Sequence, residues 1–110
     1  MILSTDVWAA ALIRRAELSG GFGVVVRKGD ARAGAVLVKA VNLSDRTVRL
    51  YTEATRGDGE QVWMRPTAAT SEAEVDAYIQ RAARIDPDVW VVEIEDREGR
   101  HFLTEPVEDA

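Results

Sequence analysis

The run Ala35-Val36-Leu37-Val38-Lys39-Ala40-Val41 constrains the fold most, because it is apolar on both faces with Lys39 as its one exception. Successive side chains of a strand point to opposite faces. A strand that is oily on both of them belongs in the middle of a sheet. The chain has 110 residues, enough for one domain and too few for two of ordinary size. At that length folding buries roughly 65% of the surface the unfolded chain exposes, so neither a metal nor a disulfide is required.

Two helices are available to cover such a sheet. Thr5 or Asp6 can cap the first, and Gly20-Gly21 supplies a left-handed stop. Between them Trp8, Ala9, Leu12, Ile13 and Ala16 recur at helical spacing, with Val7, Ala11 and Leu18 on a second flank. A helix this apolar around its girth is expected to pack on more than one side. The second begins at Ser71, whose partner Glu74 three residues later completes a capping box. Val75, Tyr78, Ile79, Ala82 and Ile85 form its stripe. Glu72, Glu74 and Asp76 crowd its positive start, Arg81 and Arg84 its negative end, and Asp86-Pro87 stops it.

The remaining segments read as strands separated by turn chemistry. Phe22 to Lys28 ends at Gly29-Asp30, with Gly34 nearby; Thr47 to Glu53 alternates; Gln61 to Arg65 follows the Arg56-Gly57-Asp58-Gly59 loop. Val89 to Glu95 turns at Asp96 to Arg100, and His101-Phe102-Leu103 returns as a hairpin partner. The predicted order is α-β-β-β-β-α-β-β. It gives an α+β fold: a single, mostly antiparallel twisted sheet with two helices packed against it. One compact domain is expected over residues 1–104, with 105–110 as an acidic, frayed tail.

The absence of cysteine removes disulfides, thiolate catalysis, zinc fingers and iron–sulfur clusters together. The N-terminus lacks the pattern of a signal peptide, and no apolar run approaches the ~20 residues that span a bilayer. The cytoplasm is therefore the expected location, with no membrane partner. Nineteen acidic against fourteen basic residues give a net charge of −5, the wrong sign for a dedicated nucleic-acid binder.

Three segments together carry a family resemblance. They are Trp8 to Glu17; Arg27-Lys28-Gly29-Asp30 with Ala33 to Lys39; and Ile85-Asp86-Pro87-Asp88-Val89-Trp90-Val91-Val92-Glu93-Ile94-Glu95-Asp96. The chain resembles a family of small, uncharacterised alphaproteobacterial proteins catalogued as a domain of unknown function. The resemblance covers nearly the whole chain and implies a bacterial origin. It implies no activity, cofactor or catalytic residue.

Candidate binding residues fall in three places. Glu93 and Glu95 share one face of their strand, and in the predicted hairpin His101 returns near Glu95. A carboxylate beside an imidazole can act as an acid–base pair, although such charges also keep an exposed edge soluble. One histidine with carboxylates is thin for a transition metal, so none is expected. Arg27 and Lys28 adjoin the flexible Gly29-Asp30 turn, where exposed N–H groups can hold an anion. No Gly-x-Gly-x-x-Gly or Walker pattern supports a nucleotide there, and no cofactor is expected. Arg14 and Arg15 interrupt the first helix, where they can grip a partner's carboxylate or lay their stems over the core.

The serines sit at element ends, where capping accounts for them, so the usual nucleophile–base sets lack parts. The function stays open at this level. The first reading is a small cytoplasmic, non-catalytic protein-binding or adaptor domain, with a protein partner or a second copy. The alternative is a small-ligand or enzymatic domain with its site near the Gly29 and Gly57 loops or the C-terminal hairpin.

Overall fold

The computed structural model describes residues 3–108. In chain order its elements are α1 (Thr5–Leu18), β1 (Phe22–Arg27), β2 (Val36–Asn42), β3 (Val48–Thr55), β4 (Gln61–Met64), α2 (Glu72–Ile85), β5 (Trp90–Asp96) and β6 (Val107–Glu108). All six strands join one sheet in the order β1-β5-β2-β3-β4-β6. Val36 to Val41 are buried throughout, so β2 is the central strand its composition requires. Its Val36, Val38 and Ala40 pack with Trp8, Leu12 and Trp63 on the α1 face. Leu37 and Val41 pack with Leu50 and Val75 on the α2 face.

The sheet is mixed rather than mostly antiparallel. β2, β3 and β4 form the expected meander. β1 does not pair with β2, however; β5 lies between them, antiparallel to β1 and parallel to β2. Two connections permit this. The Lys28–Ala35 loop is long enough to skip one strand position, and α2 carries the chain back across one face so that β5 starts beside the start of β2. Trp90, Val91, Val92 and Ile94 are buried, so β5, like β2, spends its apolar residues on two faces.

α1 rests on β1 and β5 by a single stripe. Trp8, Ala9, Leu12 and Ala16 are buried while Val7 and Leu18 are exposed, so the helix does not pack on more than one side. Gly23 permits the close approach, since a Cβ there would come within 3.0 Å of the Ile13 Cγ1. Thr5 does not cap the helix; its buried hydroxyl donates to the Gly34 carbonyl at 3.1 Å and ties down the β1–β2 loop. In α2 the Ser71–Glu74 pair forms: the Ser71 hydroxyl accepts the Glu74 N–H at 3.3 Å and donates to its carboxylate at 3.1 Å. Ile85 at the far end points away and is exposed.

The chain after β5 departs most from expectation. The turn at Asp96 forms, with Gly99 in the left-handed region at φ 73°. Residues 101–103 cannot return beside β5, because β1 and β2 occupy both of its edges. They cross the α1 face instead, where Leu103 is buried in the core and Arg15 Nε donates to the Phe102 carbonyl at 3.2 Å. Pro106 then accepts the Trp63 N–H at 2.8 Å, and β6 pairs parallel to β4. Through Glu108, which pairs with Arg56, the expected frayed tail is an ordered edge strand. Residues 109 and 110 of that tail, like residues 1 and 2, lie outside the described residues. Among the described residues no helix is long and apolar enough to cross a membrane.

One-sided packing of α1 sets a contrast between two leucines of the same helix. Leu12→Ala is expected to destabilise the protein by about 2–5 kcal/mol, because it leaves a cavity in a close-packed core. Leu18→Ala should change stability by less than about 0.5 kcal/mol. Urea denaturation of both variants checks this; equal losses would mean that α1 has a second covered side.

Candidate functional site

Among the described residues Lys39 is the one cation buried in the sheet, with a side chain only 7% exposed. It projects from β2 towards α2 and meets three carboxylates. Asp76 Oδ1 lies at 2.8 Å, Glu93 Oε1 at 3.2 Å and Glu72 Oε2 at 3.3 Å. β5 presents Glu93 directly beside Lys39 in the parallel register, and α2 presents Glu72 and Asp76 from successive turns. Burial opposes the ammonium charge. Hydrogen bonding to Asp76, Glu93 and Glu72 outweighs it and pushes the Lys39 pKa up to about 12. Three donors meeting three carboxylates leave the ammonium without an unmet proton.

Glu95 is the next residue of β5 on this face. Its contact with the Glu93 carboxylate, then burial, then the Glu93 charge raise its pKa above the usual carboxylate range. Negative charge is in excess around the cluster, and among the described residues there is no second buried cation there.

Beyond the cluster the sheet is bare. α2 covers β2 and β3, where Val75 packs with Leu37, Val48 and Leu50. It also packs against Val91 of β5, which is buried, and leaves open the face of β1 together with the Glu93–Glu95 end of β5. Phe22 stands opposite Glu95 and Val24 opposite Glu93, so both share the α2 face, and Val26 adjoins them. Phe22 is 52% exposed, Val24 39% and Val26 59%. Between this stripe and α2 runs a cleft of about 240 Å³ lined by Val26, Lys39, Asp76, Ile79, Val91 and Glu93. β1 is also the outermost strand, with its far edge unpaired among the described residues. A second groove of about 400 Å³ opens near the end of α2 among Leu37, Tyr78, Arg81, Ile85 and Val89.

The residues singled out in the sequence are dispersed. Glu93 and Glu95 do lie side by side on one face of β5, and Glu93 lines the cleft. His101 does not join them: it sits on the α1 face, its ring edge-on to Tyr51 at 5.1 Å between centroids. Its Nδ1 accepts the Leu103 N–H at 3.0 Å, and burial lowers its pKa. Arg27 donates to the Pro87 carbonyl at 2.8 Å, Lys28 is exposed, and Arg14 is exposed on α1 while Arg15 holds the Phe102 carbonyl. The Gly29 turn is no open anion cradle, because a Cβ at Gly29 or Gly34 would overlap the Asp88 carbonyl. A cavity of about 310 Å³ beside this loop is lined by Leu3, Thr5, Arg32, Gly34 and Glu53, and by no residue of the Gly57 turn.

Sequence reasoning missed Lys39, Glu72 and Asp76 as a unit. The signal was present: a single cation in a doubly apolar strand must find carboxylates. Glu72 and Asp76, four residues apart, stood on one helix face.

A family model described as a protein of unknown function, DUF1491, matches residues 3–104. The chain belongs to the DUF1491 family. The DUF1491 family protein from Caulobacter crescentus CB15, known from a crystal structure, is 72% identical, with a TM-score of 0.95 over 97% of this chain and all of that one. Its NMR structure gives a TM-score of 0.90 over 98% of each chain, also at 72% identity. The solution structure of protein Atu0922 from A. tumefaciens is 33% identical, with a TM-score of 0.82 over the full length of both chains. No curated protein matches the chain. The resemblance expected from the sequence thus holds, and the DUF1491 family brings no established activity with it.

Two outcomes follow from the charges. Lys39→Met should cost about 1–3 kcal/mol, less than the loss of a fully buried pair, because Glu72 and Asp76 remain half in water. Adding Glu93→Leu should recover part of that loss in urea titrations, since the least exposed of the three carboxylates then no longer needs a partner. For His101 the folded pKa lies below the unfolded value of about 6.5, so the unfolded state binds more protons between the two. Stability should fall as pH drops below about 6.5. His101→Phe should flatten that part of the pH profile while keeping the aromatic contact with Tyr51.

Proposed function

We propose that the chain is a non-catalytic protein-binding domain that acts in the cytoplasm, and that its binding face is the bare β1–β5 strip beside α2. The stripe of Phe22, Val24 and Val26 carries this reading. Three large apolar side chains stand together on one strand, more than a third exposed, next to a charged cleft. Contiguous apolar surface bordered by polar groups is the usual mark of a docking face in a folded domain.

The catalytic alternative loses its main support, because the one histidine is separated from Glu93 and Glu95 by the thickness of the sheet. The groove of about 400 Å³ near Arg81 has the size of a small-ligand site, and it offers few converging polar groups.

Site-specific photo-crosslinking in cells of the native host tests the proposal. A photoreactive residue at Val24 is expected to give discrete protein adducts that disappear when Val26→Asp is added. The same probe at Glu60, in the β3–β4 turn, should give none of them. Adducts that are identical from both positions, or absent from Val24, would overturn it.

A further inference from the structure

We infer that the occupant of this face is an amphipathic α-helix with a basic flank, which lies alongside α2 and completes a second helix on that side of the sheet. The inference rests on the protein-binding reading and names the chemistry of the partner.

Width is the first ground. At the Phe22–Glu95 and Val24–Glu93 pairs the open strip is two strands across, or ~10 Å at the usual strand spacing. A helix with its side chains is ~10–12 Å in diameter, so one helix fits and two do not. Length agrees. From Phe22 to Val26 the strand rises ~13 Å, close to two helical turns, which is the span of anchors at i, i+3 or i+4, and i+7. α2 already covers β2 and β3 in this way, with Val75 and Ile79 turned to the sheet.

Charge selects the flank. Asp76 and Glu93 line the cleft, with Glu72 and Glu95 near them, against Lys39, which is already engaged by three of the four. Arg46 offsets Glu95 only from a distance. Lysines or arginines along one side of the incoming helix would complete the balance. A second copy of this chain would bring the same carboxylates face to face, and like charges would oppose it.

An extended strand added to the free edge of β1 is the other geometry. The β1–β5 register shifts between Val25 and Arg27, and such a bulge bends an edge away from further pairing. Edge pairing would also leave Phe22, Val24 and Val26 in water, because they project from the face and not from the edge.

Designed peptides of about 18 residues provide the probe, long enough for a marginal helix in water. One carries a leucine stripe flanked by lysines, one has glutamates in their place, and one has a central proline. NMR titration of the full chain should show the lysine peptide shifting the signals of Val24, Val26 and Ile79. The glutamate and proline peptides should bind at least about tenfold more weakly, a difference of about 1.4 kcal/mol. Glu72→Gln with Glu95→Gln should weaken the lysine peptide about threefold or more and reduce its salt dependence. Val24→Asp should abolish the shifts.

Equal binding of the lysine and glutamate peptides overturns the inference, as does shift mapping to another face. Concentration-dependent self-association that buries Val24 overturns it in favour of a second copy. Failure of every helical peptide while Val24 still crosslinks in cells overturns the helix and leaves the protein-binding reading standing. Failure of both the peptides and the crosslink removes the two together.

Discussion

The parallel pairing of β2 with β5 is the constraint on which the rest of the structure depends. Seven consecutive residue pairs, from Val36–Trp90 to Asn42–Asp96, put the two most apolar segments of the chain side by side. Each is buried on both faces, so the sheet needs a layer above and a layer below. Parallel neighbours cannot be joined by a tight turn, which makes a crossover obligatory. α2 is that crossover. It arrives as a consequence of the pairing and supplies one of the two layers at the same time.

Placing Lys39 in the middle of this pair sets the position of α2. An ammonium in a doubly apolar strand is tolerated only where carboxylates reach it. Glu93 arrives through the strand register, and Glu72 and Asp76 through the first two turns of the helix. Hydrogen bonding to a buried charge is directional, whereas packing of Val75 against Leu37 and Leu50 is not. The cluster therefore fixes where α2 lies across the sheet, over β2, β3 and Val91 of β5, and in doing so leaves the face of β1 uncovered. An ion cluster and an exposed apolar strip, features that look unrelated, have one geometric cause.

How much of this was legible in the sequence depends on the range of the interactions. The helices, their stops and the Ser71–Glu74 cap rest on residues within one turn of each other, and they appear where the spacing puts them. β2 was readable as central because burial on both faces leaves a composition that no edge strand has. Strand order was not readable that way. Val89 to Ile94 shows the same two-faced composition, but the nearby Asp96–Gly99 turn gave it a local hairpin partner that it does not take. His101 was misplaced for the same reason, since its position depends on which edges of β5 are free. Of the candidate residues, Glu93 alone lines the cleft, with Glu95 beside it on β5; Lys39, Glu72 and Asp76 could be joined only once α2 was known to cross β2. The exposed stripe of β1 read as ordinary strand, because valine and phenylalanine look the same in a sequence whether or not something covers them.

The two faces of the sheet are finished by different means, and the difference bears on how the open one should be read. On the α1 face, the helix covers β1 and β5. The segment after Asp96 then crosses the remaining strands, where Leu103 is buried, His101 packs on Tyr51 and Glu105 accepts the Trp63 indole N–H at 2.9 Å. Asp96 makes that route possible. Its buried carboxylate accepts the backbone N–H groups of Glu98 and Arg100 and grips the Arg100 guanidinium, which depresses its pKa to about 2 and turns the chain off β5 towards α1. A helix plus an irregular strap thus covers most of one side, with Val25 of β1 left partly exposed at the edge. On the α2 face the strap is the short 65–71 connection, which brings Ala69 to the core near β3, and among the described residues nothing comparable reaches β1. A chain that spends a dozen residues covering one side leaves Phe22, Val24 and Val26 outside the other. Exposure of a single valine would need no account, since apolar atoms form much of any protein surface. Three apolar side chains on one face of β1, beside a cleft with surplus carboxylates, are better explained as half of an interface.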